Sequence, residues 1–223
     1  MFTGFSEDMI RFFLMLRVNN NRDFFEANRD FYETAVRRPL LALAEALAPT
    51  VQAIDPQLDT RPGRAVCRIY RDVRFRRDKT PYRDHMWIGY RRLGETREET
   101  CSFYFDVSAE AAHWGCGYYN TDQGYMQRLR ARILAEPDRV EGILQAPAFR
   151  DNFILLGDRY VRQHRPPADL PPAAQGLYPH KNVYAEHTLE DMTLLLDPAL
   201  AEWVAEGFRA LEPFYWLLRE CMG

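Results

Sequence analysis

One stretch constrains this chain more than any other: Cys101, Phe103, Phe105 and Val107 alternate with Ser102, Tyr104 and Asp106. Alternation of apolar and polar residues with a period of two marks a strand with one buried face, and such strands belong to antiparallel sheets. Residues 66–75, 85–92 and 111–119 read as three more strands, joined by connections of hairpin length.

Helical patterns flank this block. Ser6 followed by Glu7 and Asp8 marks a helix start, and the helix stops near Asn19-Asn20-Asn21. Phe24, Phe25, Asn28, Phe31, Tyr32 and Ala35 recur at helical spacing, which predicts a second helix over 22–36. Pro39 suits the first turn of a third, running through Leu40, Leu43, Leu47 and Val51. Helices resume at Asp122–Ala135 and Pro137–Gln145. Residues 163–182 read as loop. Leu200, Trp203, Val204, Phe208 and Leu211 make a C-terminal helix, with Pro213 opening a last turn. The expectation is an α+β fold: a central antiparallel sheet with N-terminal and C-terminal helices around it, in a single domain over 1–223. At 47% hydrophobic residues the chain can fill such a core.

No apolar run approaches the ~20 residues that a membrane-spanning helix needs. The N-terminus lacks a basic segment followed by a long apolar one, so no signal peptide is expected. The four cysteines, Cys67, Cys101, Cys116 and Cys221, form no C-x-x-C pair and read as reduced thiols of a cytoplasmic protein. His113 and Cys116 have a ligand-like spacing, but no second pair accompanies them. Neither a metal nor a cofactor is expected.

Charge is unevenly spread. The chain carries a net −3, yet residues 61–92 hold eleven basic and three acidic groups, which leaves −11 for the rest. Of 29 basic residues only Lys79 and Lys181 are lysines. A lysine is a compact point charge that can lose its proton, which a guanidinium cannot imitate. Solvated or internally paired arginines are the plain reading of such a run; an anionic partner is the sharper one.

The informative part runs from Arg68 to Tyr82. Read as a strand, it puts Cys67, Ile69, Arg71, Val73 and Phe75 on a core face. This predicts a buried Arg71 paired with a carboxylate, Asp72 being the first choice. The other face sets Arg68 and Arg74 with Asp72 between them, where the carboxylate orients guanidinium forks toward phosphate or carboxylate oxygens. Lys79 and Tyr82 follow as a proton donor and a phenol. A second candidate is Gly115-Cys116-Gly117-Tyr118 before a helix start, where glycine lets something approach the backbone. The Lys181 loop is a third. His85 is a further titrating group. No catalytic triad, H-E-x-x-H, P-loop or dinucleotide fingerprint is present.

The pattern Arg68-x-x-Arg71-Asp72-x-Arg74-Phe75-x-x-Asp78-Lys79-x-x-Tyr82 resembles the signature of domain-of-unknown-function family 2461. The resemblance extends over nearly the whole chain, through Asn19-Asn20-Asn21, Arg22, Phe25, Asn28-Arg29 and Tyr32, then Gly115-x-Gly117-Tyr118, Arg130, Gly157-Asp158 and Lys181. It implies a single bacterial-type domain and supplies no catalytic roles.

The residues themselves point to binding of, or catalysis on, a small anionic ligand such as a phosphate ester or nucleotide. Lys79, Asp72 and Tyr82 are the candidate catalytic groups; Arg68, Arg71, Arg74, Gly117, Tyr118 and Lys181 are the candidate ligand contacts. One alternative is nucleic-acid binding through the 61–92 segment, with Tyr70, Phe75, Tyr82 and Trp87 as stacking faces. Another is a non-enzymatic interaction domain whose arginines pair internally.

Overall fold

The structure, a computed structural model, describes residues 1–75, 77–96 and 100–222. Arg76, part of the basic run, lies outside the described residues. The fold is α+β. A five-stranded antiparallel sheet comprises β1 (His85–Tyr90), β2 (Ser102–Ser108), β3 (Ala112–Tyr118), β4 (Ile154–Leu156) and β5 (Val183–Thr188). The strand order is β1-β2-β3-β5-β4. β4 and β5 pair with Ile154 opposite Glu186 and Leu156 opposite Tyr184. Packing divides the chain into two compact units: Met1–Tyr90 with Tyr104–Trp114 and Thr188–Ala205, and Arg91–Phe103 with Gly115–His187 and Glu206–Gly223.

The first unit holds α1 (Glu7–Val18), α2 (Arg22–Ala27), α3 (Arg29–Tyr32), a π-turn (Glu33–Arg37), α4 (Arg38–Ile54) and α5 (Pro62–Ala65). The core-facing stripe of α1 is Met9, Phe12, Phe13 and Leu16; that of α4 is Leu40, Leu43, Leu47 and Val51, all fully buried. Burying each such side chain contributes about 1.5–3 kcal/mol. Tyr90 of β1 donates its hydroxyl hydrogen to the Ala44 carbonyl of α4 at 2.7 Å. Pro39 lies in the first turn of α4, as expected, but the chain enters that helix straight from the π-turn. The proline has no N–H to give Ala35, and its ring crowds that carbonyl. The helix widens instead, and the Arg38 N–H bonds back to the Glu33 carbonyl. The second helix expected over 22–36 is thus three pieces, α2, α3 and the π-turn.

Residues 66–75 are not a continuous strand. They make isolated bridges, Val66 with Ile88 and Tyr70 with Tyr82. Pro81 has no N–H to give, so the ladder cannot propagate past Arg71.

The second unit holds α6 (Gln123–Ala135), α7 (Pro137–Gln145), α8 (Pro147–Arg150) and α9 (Pro172–Leu177). α10 (Leu200–Arg219) belongs to it from Glu206 onward. Pro213 sits inside α10 rather than opening a new turn. Leu211, Phe214, Tyr215, Leu217 and Leu218 are all fully buried on either side of it, and that burial outweighs the ~3 kcal/mol cost of a proline within a helix. α9 and β5 interrupt the expected loop or border it, and β4 and β5 are strands too short or too polar for alternation to reveal. Tyr118 stacks on Tyr125 with centroids 3.8 Å apart, and the Tyr125 hydroxyl donates to the Leu218 carbonyl at 3.0 Å. All four cysteines are free and buried.

Candidate functional site

The Arg71–Tyr82 segment folds back on itself. The Arg71 N–H donates to the Pro81 carbonyl and the Arg83 N–H to the Ile69 carbonyl, both at 2.8 Å. The loop between is tied by its own charged groups. Arg71 Nη1 donates to Asp78 Oδ2 at 2.6 Å and also to the Thr80 hydroxyl. Arg71 is only partly buried, and its carboxylate partner is Asp78 rather than Asp72. Asp78 also accepts the Thr80 N–H at 2.9 Å. That backbone bond, with those from Arg71 and the Thr80 hydroxyl, holds the Asp78 carboxyl down to about 2. Asp72 accepts from Arg74 Nη2 at 2.6 Å. Lys79 is exposed, and its ammonium donates to the Val73 carbonyl at 2.9 Å, across the loop.

Tyr82 lies underneath. It is buried, stacked on Phe25 with centroids 4.2 Å apart, and tilted against Tyr70 at 5.4 Å. Burial pushes its phenol above the ordinary value, so it keeps its proton at neutral pH.

A cavity of about 210 Å³ opens beside this aromatic cluster. Its walls are Phe25, Tyr32, Tyr70, Ile69, Val66 and Leu41, with Arg29, Glu33, Arg37, Arg68 and Cys67 as polar lining. Arg68 is the one residue among the sequence candidates that lines it; Lys79, Asp72, Arg71, Arg74 and Tyr82 do not. The π-turn supplies Glu33 and Arg37, which pair at 3.2 Å. Arg29 is held by Glu26 through Nε at 3.0 Å and Nη2 at 2.7 Å, with its guanidinium 5.5 Å from the Phe25 centroid. Glu26 and Tyr70 both favour its charged form. Arg68 differs: its side chain makes no hydrogen bond or ion pair among the described residues. Burial pushes the Tyr32 phenol well up, and neighbouring Cys67 and Glu33 push the same way. The Cys67 sulfur accepts the Trp87 N–H at 3.2 Å.

Arg29, Glu33 and Arg37 follow one another at four-residue intervals, so they share one helix face. That charged stripe was the available signal for this wall, and it is weaker than the arginine run beside it.

Gly117, Tyr118 and Lys181 belong to the second unit. What approaches the Gly117 backbone is β5: a Cβ there would lie 2.1 Å from Tyr184 Cβ. Tyr118 is a core residue, and the Asp122 carboxylate caps the following helix by accepting the Tyr125 N–H. Among the described residues, no group of three or more His, Cys, Asp or Glu is placed to hold a metal ion.

The family described as Conserved hypothetical protein (DUF2461) matches residues 8–216. The chain belongs to this family. The match takes in both the arginine-rich segment and the cavity wall at Phe25–Arg37 of this DUF2461 chain. No curated protein matches it. No helix among the described residues is long and apolar enough to cross a membrane.

Proposed function

We propose that the protein binds a small anionic molecule in the cavity between the π-turn and the Val66–Tyr70 segment. The observation that carries this reading is Arg68. The other two arginines of the cavity already have carboxylate partners, whereas Arg68 has none among the described residues. A bidentate guanidinium matches a phosphate or carboxylate group. Tyr32 and Tyr70 supply flat apolar faces beside it. At about 210 Å³ the cavity lies below the range of drug-sized sites, roughly 300–1,000 Å³, so the occupant is a single ring or a short chain rather than a whole nucleotide. The Tyr32 phenol stays protonated and acts as a hydrogen-bond donor, which favours binding over proton abstraction. Lys79, Asp72 and Tyr82 then serve to hold the loop and floor. The four buried free thiols support residence in the reducing cytoplasm.

The test is a thermal-shift screen of phosphorylated and carboxylated small molecules. A ligand at a hundred times its Kd stabilises by about 2.7 kcal/mol. Arg68→Gln should abolish the shift and leave the ligand-free midpoint unchanged. A hit that Arg68→Gln binds equally well sinks the proposal.

One observation favours a second reading, nucleic-acid binding through the basic loop. Phe75 is 93% exposed, with the Arg74 guanidinium 5.9 Å from its ring. Bases stack on such a face. Binding to single-stranded oligonucleotides that falls steeply with salt and is lost in Phe75→Ala would select it.

A further inference from the structure

The second unit contains a cation that its own fold leaves without a counter-charge. Arg130 projects from α6 and is only 6% exposed. Its Nε donates to the Tyr178 carbonyl at 3.0 Å and its Nη2 to the His180 carbonyl at 2.8 Å. Carbonyl dipoles orient a guanidinium but do not neutralise it, and a buried charge without an opposite charge is costly. No acidic side chain pairs with Arg130 among the described residues. Its Nη1 makes no hydrogen bond there either, and it is not sealed from solvent.

A second cation joins it on one aromatic ring. The Arg130 guanidinium carbon lies 5.5 Å from the Tyr160 centroid and the Lys181 ammonium 5.1 Å from it. Lys181 likewise makes no ion pair or side-chain hydrogen bond among the described residues. The nearby acid, Asp158, is turned elsewhere: its carboxylate takes a bond from Asn182 at 3.4 Å. His164 packs edge-on against Tyr160 at 4.7 Å, with its backbone in the left-handed region at φ 55°. Such backbone is strained for a residue other than glycine and persists only where its surroundings impose it. Ring faces attract cations but carry no net charge, so both positive charges remain uncompensated. In a chain of net −3, two cations thus share one tyrosine ring, and neither has a carboxylate partner among the described residues.

We propose that Arg130 and Lys181, both placed at the Tyr160 ring, form an anion site for a dianionic phosphoryl group, with Arg130 Nη1 and Lys181 Nζ as the two donors. Two unit positive charges match a phosphate monoester, which carries about −1.5 to −2 at neutral pH, better than a carboxylate. The arrangement does not depend on the Arg68 cavity and takes a different set of residues.

The experiment is calorimetric titration of the full chain, at fixed ionic strength, with inorganic phosphate, with phenyl phosphate and with acetate. Saturable binding of either phosphate, weaker binding of acetate, and a loss of about tenfold in phosphate affinity in Lys181→Gln are expected, since a charge-assisted bond is worth about that factor. Binding of inorganic phosphate itself marks a site for the free ion; binding of the ester alone marks one for a phosphorylated molecule. Arg130→Gln removes the buried cation and risks the fold, so Lys181→Gln, on a partly exposed side chain, carries the test, made with and without Lys181→Gln in a chain carrying Arg68→Gln so that the cavity adds no phosphate binding of its own. Absence of saturable phosphate binding, or binding that Lys181→Gln leaves intact, overturns the site.

Discussion

The side-chain amide of Asn20 brackets the backbone of Tyr82: its Oδ1 accepts the Tyr82 N–H and its Nδ2 donates to the Tyr82 carbonyl, each at 3.0 Å. Asn20 thus does the work of a neighbouring strand at a residue whose own ladder is a single bridge to Tyr70. Both backbone groups are part-buried, so losing the amide leaves a donor and an acceptor unsatisfied. Asn20→Ala should destabilise by about 1–3 kcal/mol in denaturant unfolding, and Asn20→Asp, which sets a carboxylate oxygen against the Tyr82 carbonyl, should not restore the loss. Equal midpoints for Asn20→Ala and the parent would refute the bracket.

Arg71 gives a milder expectation than a core arginine would. Its partner Asp78 is 56% exposed, so removing the guanidinium leaves a carboxylate in water rather than in an apolar interior. Arg71→Ala should therefore cost no more than about 1 kcal/mol, and the loss should shrink as salt rises. A cost of several kcal/mol would mean that the carboxylate is sealed away.

His85 Nδ1 lies 2.9 Å from Asp106 Oδ2. That bond raises the imidazole above its ordinary 6.5, ahead of burial, which opposes it. A group whose folded value is raised stabilises the fold fully below its unfolded value and loses that contribution as pH climbs through the folded one. Stability should thus fall between pH 6.5 and the folded midpoint. Proton NMR of the His85 ring should show a midpoint above 6.5 that drops in Asp106→Asn. An unchanged midpoint in that variant would remove the pair as the cause.

Two glycines should respond in opposite senses. Gly117→Ala puts a Cβ 2.1 Å from Tyr184 Cβ and 2.4 Å from its Cα, where backbone must move. Overpacking of this kind costs about 1–3 kcal/mol and more when backbone is displaced. Gly142, inside α7, has open space where a methyl would go, with nothing within 4 Å, and Gly142→Ala should stabilise by about 0.5–1 kcal/mol through helix propensity. Thermal midpoints read both.

The α+β class, the β2 strand and the helix faces of α1, α4 and α10 were legible in the sequence. In each case a local period of two or of 3.6 decides which side chains meet the core, and periodicity is a property of neighbours along the chain. The family was legible too, chiefly through the contiguous stretch from Arg68 to Tyr82, which lies inside the matched residues. What the chain does at Pro213 was not legible. A proline breaks an isolated helix, but here the burial of α10 side chains on both sides of Pro213 keeps the helix running. The three-residue strand β4 is too short to show a pattern of its own and exists through its pairing with β5, which lies between it and β3. The charged motif shows the division most sharply. Its composition announced an abundance of arginine, but only three-dimensional pairing decided that Arg71 and Arg74 are satisfied within their loop while Arg68 faces a cavity. Arg130 was one arginine among 27 until the fold buried it beside carbonyls and tyrosine rings. Charge is written in the sequence; whether a charge has a partner depends on distances of a few ångströms, and those are set by the tertiary structure.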